Sequence, residues 1–149
     1  MPPLVGHWFA PNENYWSENI SDFNDIWGYE DENGVRYALM GGWDGTYIVD
    51  ISTNPSSPEE VAFIPGSFST HRDIKTYGNY MYIGTEGEAG IQVVDLSNPY
   101  SPVLVNEWDL IDQSHNIMEY NGYLYIIGSG SDVNGDGNTS DIIVLDLVH

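Results

Sequence analysis

One segment occurs three times along the chain, at residues 25–51, 73–96 and 116–147. Each copy begins with Asp or Asn followed by Ile, continues through a run that starts with Tyr and ends in Gly, and closes with an aliphatic run that contains Asp. A sequence that repeats at such an interval folds as a series of equivalent units, each stacked on its neighbours. The repeat therefore restricts the chain to a repeat architecture.

The short runs within each copy are typical of β-strands, because they are rich in β-branched and aromatic residues and are bounded by turn residues. A fourth strand is predicted after each of the first two copies, over residues 58–64 and 102–108. No window shows the apolar period of a helix. Four strands per unit form the blade of a β-propeller, so we predict an all-β fold of four-stranded antiparallel blades. The predicted blades are blade 1 (residues 23–65), blade 2 (residues 71–109) and blade 3 (residues 114–149).

The third blade lacks a fourth strand after it in the sequence. Residues 3–8 resemble residues 102–108, and we predict that residues 1–10 form a closing strand that completes the last blade. Three blades are fewer than the four to eight that usually close a propeller ring. Further copies of the chain are therefore expected to supply the missing blades, as a six-bladed ring of two copies or as a filament. The alternative is that the chain is a fragment of a longer propeller.

The composition excludes several classes of partner. The formal net charge is −20, so a polyanion would be repelled, and we expect no binding to nucleic acid. No apolar run has the length that spans a membrane, and we expect no membrane insertion. The chain has no cysteine, which excludes disulfides and thiolate metal sites. The N-terminus shows no signal-peptide pattern, so the chain is expected to be cytosolic, already processed or a fragment.

Several blocks of the sequence are similar to a known family. Residues 24–29, 37–39, 44–46 and 49–52, followed by Arg72-Asp73-Ile74-Lys75 and Ser114-His115-Asn116, resemble in order the blocks of the choice-of-anchor B proteins, which are built of LVIVD-type repeats. The resemblance implies a β-propeller that is exported and held at the cell surface. It implies an extracellular or cell-surface location for this chain, and it brings no established activity.

The strongest motif for a ligand lies between the second and third strands of blade 3. Its Asp-x-Asn-x-Asp-Gly pattern is that of an EF-hand-type loop, in which alternate side chains converge on calcium. The bidentate acid of that loop is absent at its usual position, where Ile143 stands, and Asp141 is the expected substitute. We predict a structural Ca²⁺ site. Its predicted ligands are Asp132, Asn134, Asp136, Asn138, Ser140 and Asp141.

A second group of polar residues is predicted at the innermost strands, which line the channel of a propeller. It could bind a ligand or a metal, or it could bond neighbouring backbone and hold the blades together, and we favour the second interpretation. Its predicted members are Asp25, His71, Arg72, Asp73, His115 and Asn116. A separate loop carries Tyr15 and Trp16, which could bind glycans or pack on a blade.

No sequence signature of a catalytic centre is present, and we predict no catalytic residue. The function expected from the sequence is that of a non-enzymatic extracellular module for self-assembly, adhesion or protein binding, stabilised by calcium. The predicted partners are copies of the chain itself, and glycans or surface proteins. The alternatives are a polysaccharide lyase or hydrolase and a glycan-binding module, which rest on analogy with other propellers.

Overall fold

The computed structural model describes residues 1–8, 23–139 and 142–148. Those residues form eleven β-strands and no helix, so none of them forms a helix that could cross a membrane. The all-β prediction is confirmed. The strands are β1 (Phe23–Glu30), β2 (Arg36–Gly42), β3 (Gly45–Asp50), β4 (Glu59–Pro65), β5 (Arg72–Tyr77), β6 (Tyr80–Thr85), β7 (Ile91–Asp95), β8 (Val103–Trp108), β9 (Asn116–Tyr120), β10 (Tyr123–Ile127) and β11 (Ile143–Asp146).

The strands form three antiparallel sheets in chain order. The first sheet is β1-β2-β3-β4, the second is β5-β6-β7-β8, and the third is β9-β10-β11 with β10 in the centre. Most neighbouring pairs are joined by a short turn or loop, as antiparallel strands allow, and a longer loop joins β10 to β11. In the first turn Asp31 accepts hydrogen bonds from the amides of Asn33 and Val35, both at 2.9 Å, and Gly34 adopts φ 78°. The turn residues thus fix the register of β1 on β2.

The sheets stack face to face in sequence, with β1 beside β5 and β5 beside β9. Two apolar cores result. The core between the first and second sheets contains Tyr29, Tyr37, Leu39, Ile48 and Ile64 from one side and Ile74, Met81, Ile83, Val94 and Leu96 from the other. The core between the second and third sheets contains Tyr82, Ile91, Ile111, Ile117, Leu124, Ile126 and Ile143. Stacking thus buries surfaces that a single sheet would expose.

Because side chains alternate along a strand, each sheet has one face toward the sheet before it and one toward the sheet after it. We call these the leading and the trailing face. β3 is buried at every position, as predicted for a strand covered on both sides. β11 is different: Ile143 on the leading face is buried, and Val144 on the trailing face is 50% exposed. Among the residues that the structure describes, no further sheet covers the trailing face of the third.

In the described part of the chain, the predicted closing strand does not form. Residues 1–8 have no strand structure, and the third sheet has three strands among the described residues. Trp8 instead packs on the first sheet, with ring centroids 5.6 Å from Tyr47 and 5.7 Å from Phe23. Gly6 approaches the turn after β3 so closely that a Cβ atom would lie 2.2 Å from the carbonyl oxygen of Pro55. The N-terminal segment therefore lies against the first sheet, away from β11.

Candidate functional site

The predicted polar residues of the innermost strands do come together. A pocket of about 200 Å³ opens where β1, β5 and β9 begin. All six predicted members line it, and Asn24 joins them. The repeat places them together because each lies near the start of the first strand of its sheet, and these three strands are neighbours.

The two carboxylates that line the pocket hold the sheets to one another. Asp25 on β1 accepts a hydrogen bond from the Ile74 amide at 2.8 Å, and Asp73 on β5 accepts one from the Ile117 amide at 2.7 Å. The two bonds are equivalent, since each joins a sheet to the next one at the same position of the repeat. A carboxylate that accepts a backbone hydrogen bond in this way stabilises the contact between sheets. This geometry supports a structural role for both aspartates.

Arg72, another predicted member of this polar group, also has a structural role. Its side chain is buried, with Nε donating to the Gly42 carbonyl at 3.1 Å and Nη2 donating to the Ser67 carbonyl at 2.6 Å. Burial lowers the pKa of the guanidinium, and the negative charge of Asp44 partly opposes that shift. The guanidinium thus connects the loop after β4 to the end of β2 through hydrogen bonds to backbone carbonyls.

The two histidines face one glutamate. The rings of His71 and His115 lie 5.5 Å apart, and Glu86 contacts both of them. Glu86 Oε2 is 3.8 Å from His71 Nε2, and its other oxygen is hydrogen-bonded to His115 Nδ1. Because Glu86 follows β6 and His115 precedes β9, the pair joins the second sheet to the third. Sequence reasoning missed Glu86, which lies outside every repeated motif and reaches the histidines only through the pairing of β5 with β6.

The predicted calcium loop curls around its first carboxylate. Asp132 accepts hydrogen bonds from the amides of Gly135, Asp136 and Gly137, at 2.7, 3.1 and 2.8 Å. Asn134 Oδ1 accepts from the Asp136 amide at 3.1 Å, and Asp136 Oδ1 accepts from the Asn138 amide at 2.8 Å. The carboxylate and amide oxygens of three side chains are therefore gathered in one exposed turn.

The donor set of that loop fits a calcium ion in kind, because calcium binds hard oxygens and each carboxylate oxygen has a second lone pair. Two predicted ligands, Ser140 and Asp141, lie outside the described residues, as do Tyr15 and Trp16 of the predicted glycan platform. Within residues 1–8, 23–139 and 142–148, no three His, Asp or Glu side chains form a group that could hold a metal ion. The described part of the loop contains two carboxylates, those of Asp132 and Asp136.

The outer faces of the stack are the remaining candidate surface. On the leading face of the first sheet, Ile26 is 64% exposed, and a groove of about 320 Å³ is lined by Ile26, Met40 and residues 23–25. On the trailing face of the third sheet, Met118 is 53% exposed and Val144 is 50% exposed. Apolar surface of this kind at both ends of one stack is typical of a protein interaction site.

Comparison with known proteins gives one match to a protein family. The model of the LVIVD repeat matches residues 34–64 and 70–109, which cover most of the first sheet and all of the second. LVIVD repeats occur in proteins that resemble β-propellers. No curated protein and no solved structure matches the chain.

Proposed function

We propose that this chain, which is built of LVIVD repeats, is a non-enzymatic β-propeller module that acts outside the cell and binds protein through the outer faces of its first and third sheets. The three stacked sheets are the blades of that propeller. Calcium bound at the loop between β10 and β11 stabilises the third of them. The module serves assembly or adhesion.

The observation that carries this proposal is the exposure of apolar side chains at both ends of the stack. Ile26 on β1 is 64% exposed, whereas the equivalent residues of β5 and β9, Ile74 and Ile117, are 0% and 3% exposed. A side chain of this kind gains roughly 1.5–3 kcal/mol when it is fully buried. Several such side chains on one face make contact with another protein surface favourable.

The acidic surface and the calcium loop support a location outside the cell. A net charge of −20 keeps a protein soluble in a medium rich in salt or divalent cations. Calcium loops of extracellular modules are tuned to the higher calcium concentrations found there. The sequence blocks that resemble choice-of-anchor B proteins favour the same location.

The polar pocket is the observation that would favour the glycan-binding or polysaccharide-degrading alternative. Its volume of about 200 Å³ is smaller than the roughly 300–1,000 Å³ of most ligand sites. Asp25 and Asp73, the two carboxylates that line it, already accept backbone hydrogen bonds from the next sheet. We therefore rank binding of protein above chemistry on a glycan.

Adhesion of coated beads tests the proposal. Beads coated with the wild-type chain are expected to cluster or to attach to cells in millimolar calcium. Beads coated with the Ile26→Glu or the Val144→Glu variant are expected to do so far less. Val105→Glu is the matched control, because Val105 is 49% exposed on β8, away from both outer faces. Degradation of a polysaccharide panel by the wild-type chain, with no adhesion, would contradict the proposal and favour an enzyme.

A further inference from the structure

We infer that the partner of these faces is a second copy of the same chain, joined head to tail: the trailing face of the third sheet of one copy packs on the leading face of the first sheet of the other. This inference rests on the proposed function and names the partner. The two faces are the two halves of the joint that already occurs twice within one chain, between the first and second sheets and between the second and third.

The strand registers show which residues are equivalent. Residues paired across neighbouring strands form a row on one face of a sheet. The trailing face of the first sheet has the row Trp27, Leu39 and Ile48, and that of the second has Lys75, Tyr82 and Val93. The equivalent row of the third sheet is Met118, Tyr125 and Val144. Leu39 and Ile48 are fully buried against the second sheet. Tyr125 and Val144 occupy the same positions on the third sheet and present the same kind of surface.

The leading faces match in the same way. The row across the first sheet is Ile26, Met40, Tyr47 and Phe63, and the row across the third is Ile117, Ile126 and Ile143. The latter three are buried against the second sheet. In the joined copies, Tyr125 of one chain would enter the groove beside Ile26 and Met40 of the other, as Leu39 enters the core beside Ile74 and Ile83.

Each end of the stack also carries one of the two groups that form the hydrogen bond between neighbouring sheets. Asp25 bonds the Ile74 amide and Asp73 bonds the Ile117 amide. Asn116 is the third member of that series, at the same position of β9, and its side-chain oxygen is the acceptor for a next sheet. The residue of a second copy that corresponds to Ile74 and Ile117 is Ile26. The joint therefore includes a bond from the Ile26 amide of one copy to Asn116 of the other.

The position of the N-terminal segment fits this arrangement. Trp108 on β8, the outer strand of the second sheet, packs against the core that contains Ile143 on the leading face of the third. Trp8 packs on Tyr47, which holds the place of Ile143 on the leading face of the first sheet. Residues 3–8 thus lie where the outer strand of a preceding sheet would lie. They can pair with β11 of the second copy, whose sheet has three strands in the described residues.

Two head-to-tail joints close a ring of two copies with six sheets, which is within the range of known propellers. The net charge of −20 on each copy opposes the contact through repulsion. Added salt screens charges on a scale of about 10 Å at 0.1 M and shorter at higher concentrations. The association is therefore expected to tighten as salt or calcium is raised, the reverse of a contact built on opposite charges.

Light scattering after size-exclusion chromatography tests the inference, with the full chain at several concentrations in calcium. The expected mass is twice the 16.7 kDa of one chain. Ile26→Glu and Val144→Glu are each expected to give monomers, and Val105→Glu is expected to remain a dimer. An equimolar mixture of the Ile26→Glu and Val144→Glu chains is expected to recover dimers, because the mixture contains one intact trailing face and one intact leading face that fit together. Urea unfolding of each variant confirms that it is folded.

A wild-type chain that stays monomeric at every concentration would overturn the inference, and so would a dimer broken by only one of the two substitutions, since that pattern means contact between like faces. Neither result contradicts the proposed function, because a monomer can still bind another protein through the same faces in the bead assay. Loss of adhesion with an intact dimer would instead contradict the adhesive role in the proposed function, while the binding of protein through these faces, here by a second copy, would stand.

Discussion

The carboxylate of Asp73 accepts a hydrogen bond from the amide of Ile117 at 2.7 Å and so joins the second sheet to the third. Asp25 makes the same bond to Ile74 at 2.8 Å, one sheet earlier. A single repeated aspartate therefore does at each joint what no apolar side chain can do: it satisfies a backbone donor of the next sheet and sets how the two sheets align.

Replacement of Asp73 by Ala is expected to lower the free energy of unfolding by roughly 1–3 kcal/mol, because the Ile117 amide loses its acceptor. Urea unfolding followed by tryptophan fluorescence measures the loss. Asp73→Asn is expected to lose less, since it keeps an acceptor oxygen. Asp109→Ala, at an exposed position, is the control. Equal stability of the Asp73→Ala and Asp109→Ala variants would show that the bond contributes nothing.

Arg72 is expected to matter for stability far more than the other arginine. Arg72→Met leaves the carbonyls of Gly42 and Ser67 without their donor, at a cost of roughly 2–4 kcal/mol. Arg36→Met is the matched control, because that side chain is 67% exposed and faces Glu30 across 4.0 Å at the surface. Its cost is expected to be within about 1 kcal/mol. Comparable thermal denaturation of the two variants would contradict the assignment of Arg72 as a structural residue.

Asp50 gives a pH dependence of known sign. Burial alone would raise the pKa of Asp50, but hydrogen bonds from Thr53, Ser52 and Tyr100 outweigh it and hold that pKa below its usual value. The group therefore stabilises the fold fully at pH values above the unfolded pKa of about 3.9 and less as the pH falls through the folded pKa. Wild type should exceed Asp50→Ala in unfolding free energy at pH 7, and the difference should shrink below about pH 4. A difference that stays constant in urea unfolding between pH 7 and pH 3 would contradict this.

Calcium is expected to raise the midpoint of thermal unfolding relative to a chelator, since an ion that binds only the folded state stabilises it. Asp132→Ala and Asp136→Ala should abolish the rise, and Asp112→Ala, an exposed aspartate outside the loop, should keep it. Differential scanning calorimetry distinguishes these cases. An identical midpoint in millimolar calcium and in chelator would refute the site.

Much of the fold could be predicted from the sequence because the three copies of the repeat can be aligned with one another. The strand runs, the turns at residues 31–34 and the absence of helix could all be predicted, since alternation and turn residues act locally. The placement of Asp25 and Asp73 near each other also followed, because equivalent positions of stacked units are neighbours.

Other features depend on contacts that no local pattern reports. Glu86 faces His71 and His115 only because β5 pairs with β6 and the second sheet packs on the third. The guanidinium of Arg72 bonds the backbone carbonyls of Gly42 and Ser67, which are distant from each other in the sequence. The N-terminal segment lies on the first sheet, since Trp8 finds apolar partners there within its own chain.

Cross-linking of the two ends of the stack tests the central claim most directly. The chain has no cysteine, so Asn116→Cys in one preparation and Ile26→Cys in another report on a single contact. Asp25→Cys with Ile74→Cys in one chain is the control, because these residues form the equivalent contact within the molecule. We predict that mixing and oxidising the two single variants gives a covalent dimer on a non-reducing gel, which neither variant gives when it is oxidised alone. If the control forms its internal disulfide and the mixture stays monomeric, the outer faces do not join copies of this chain.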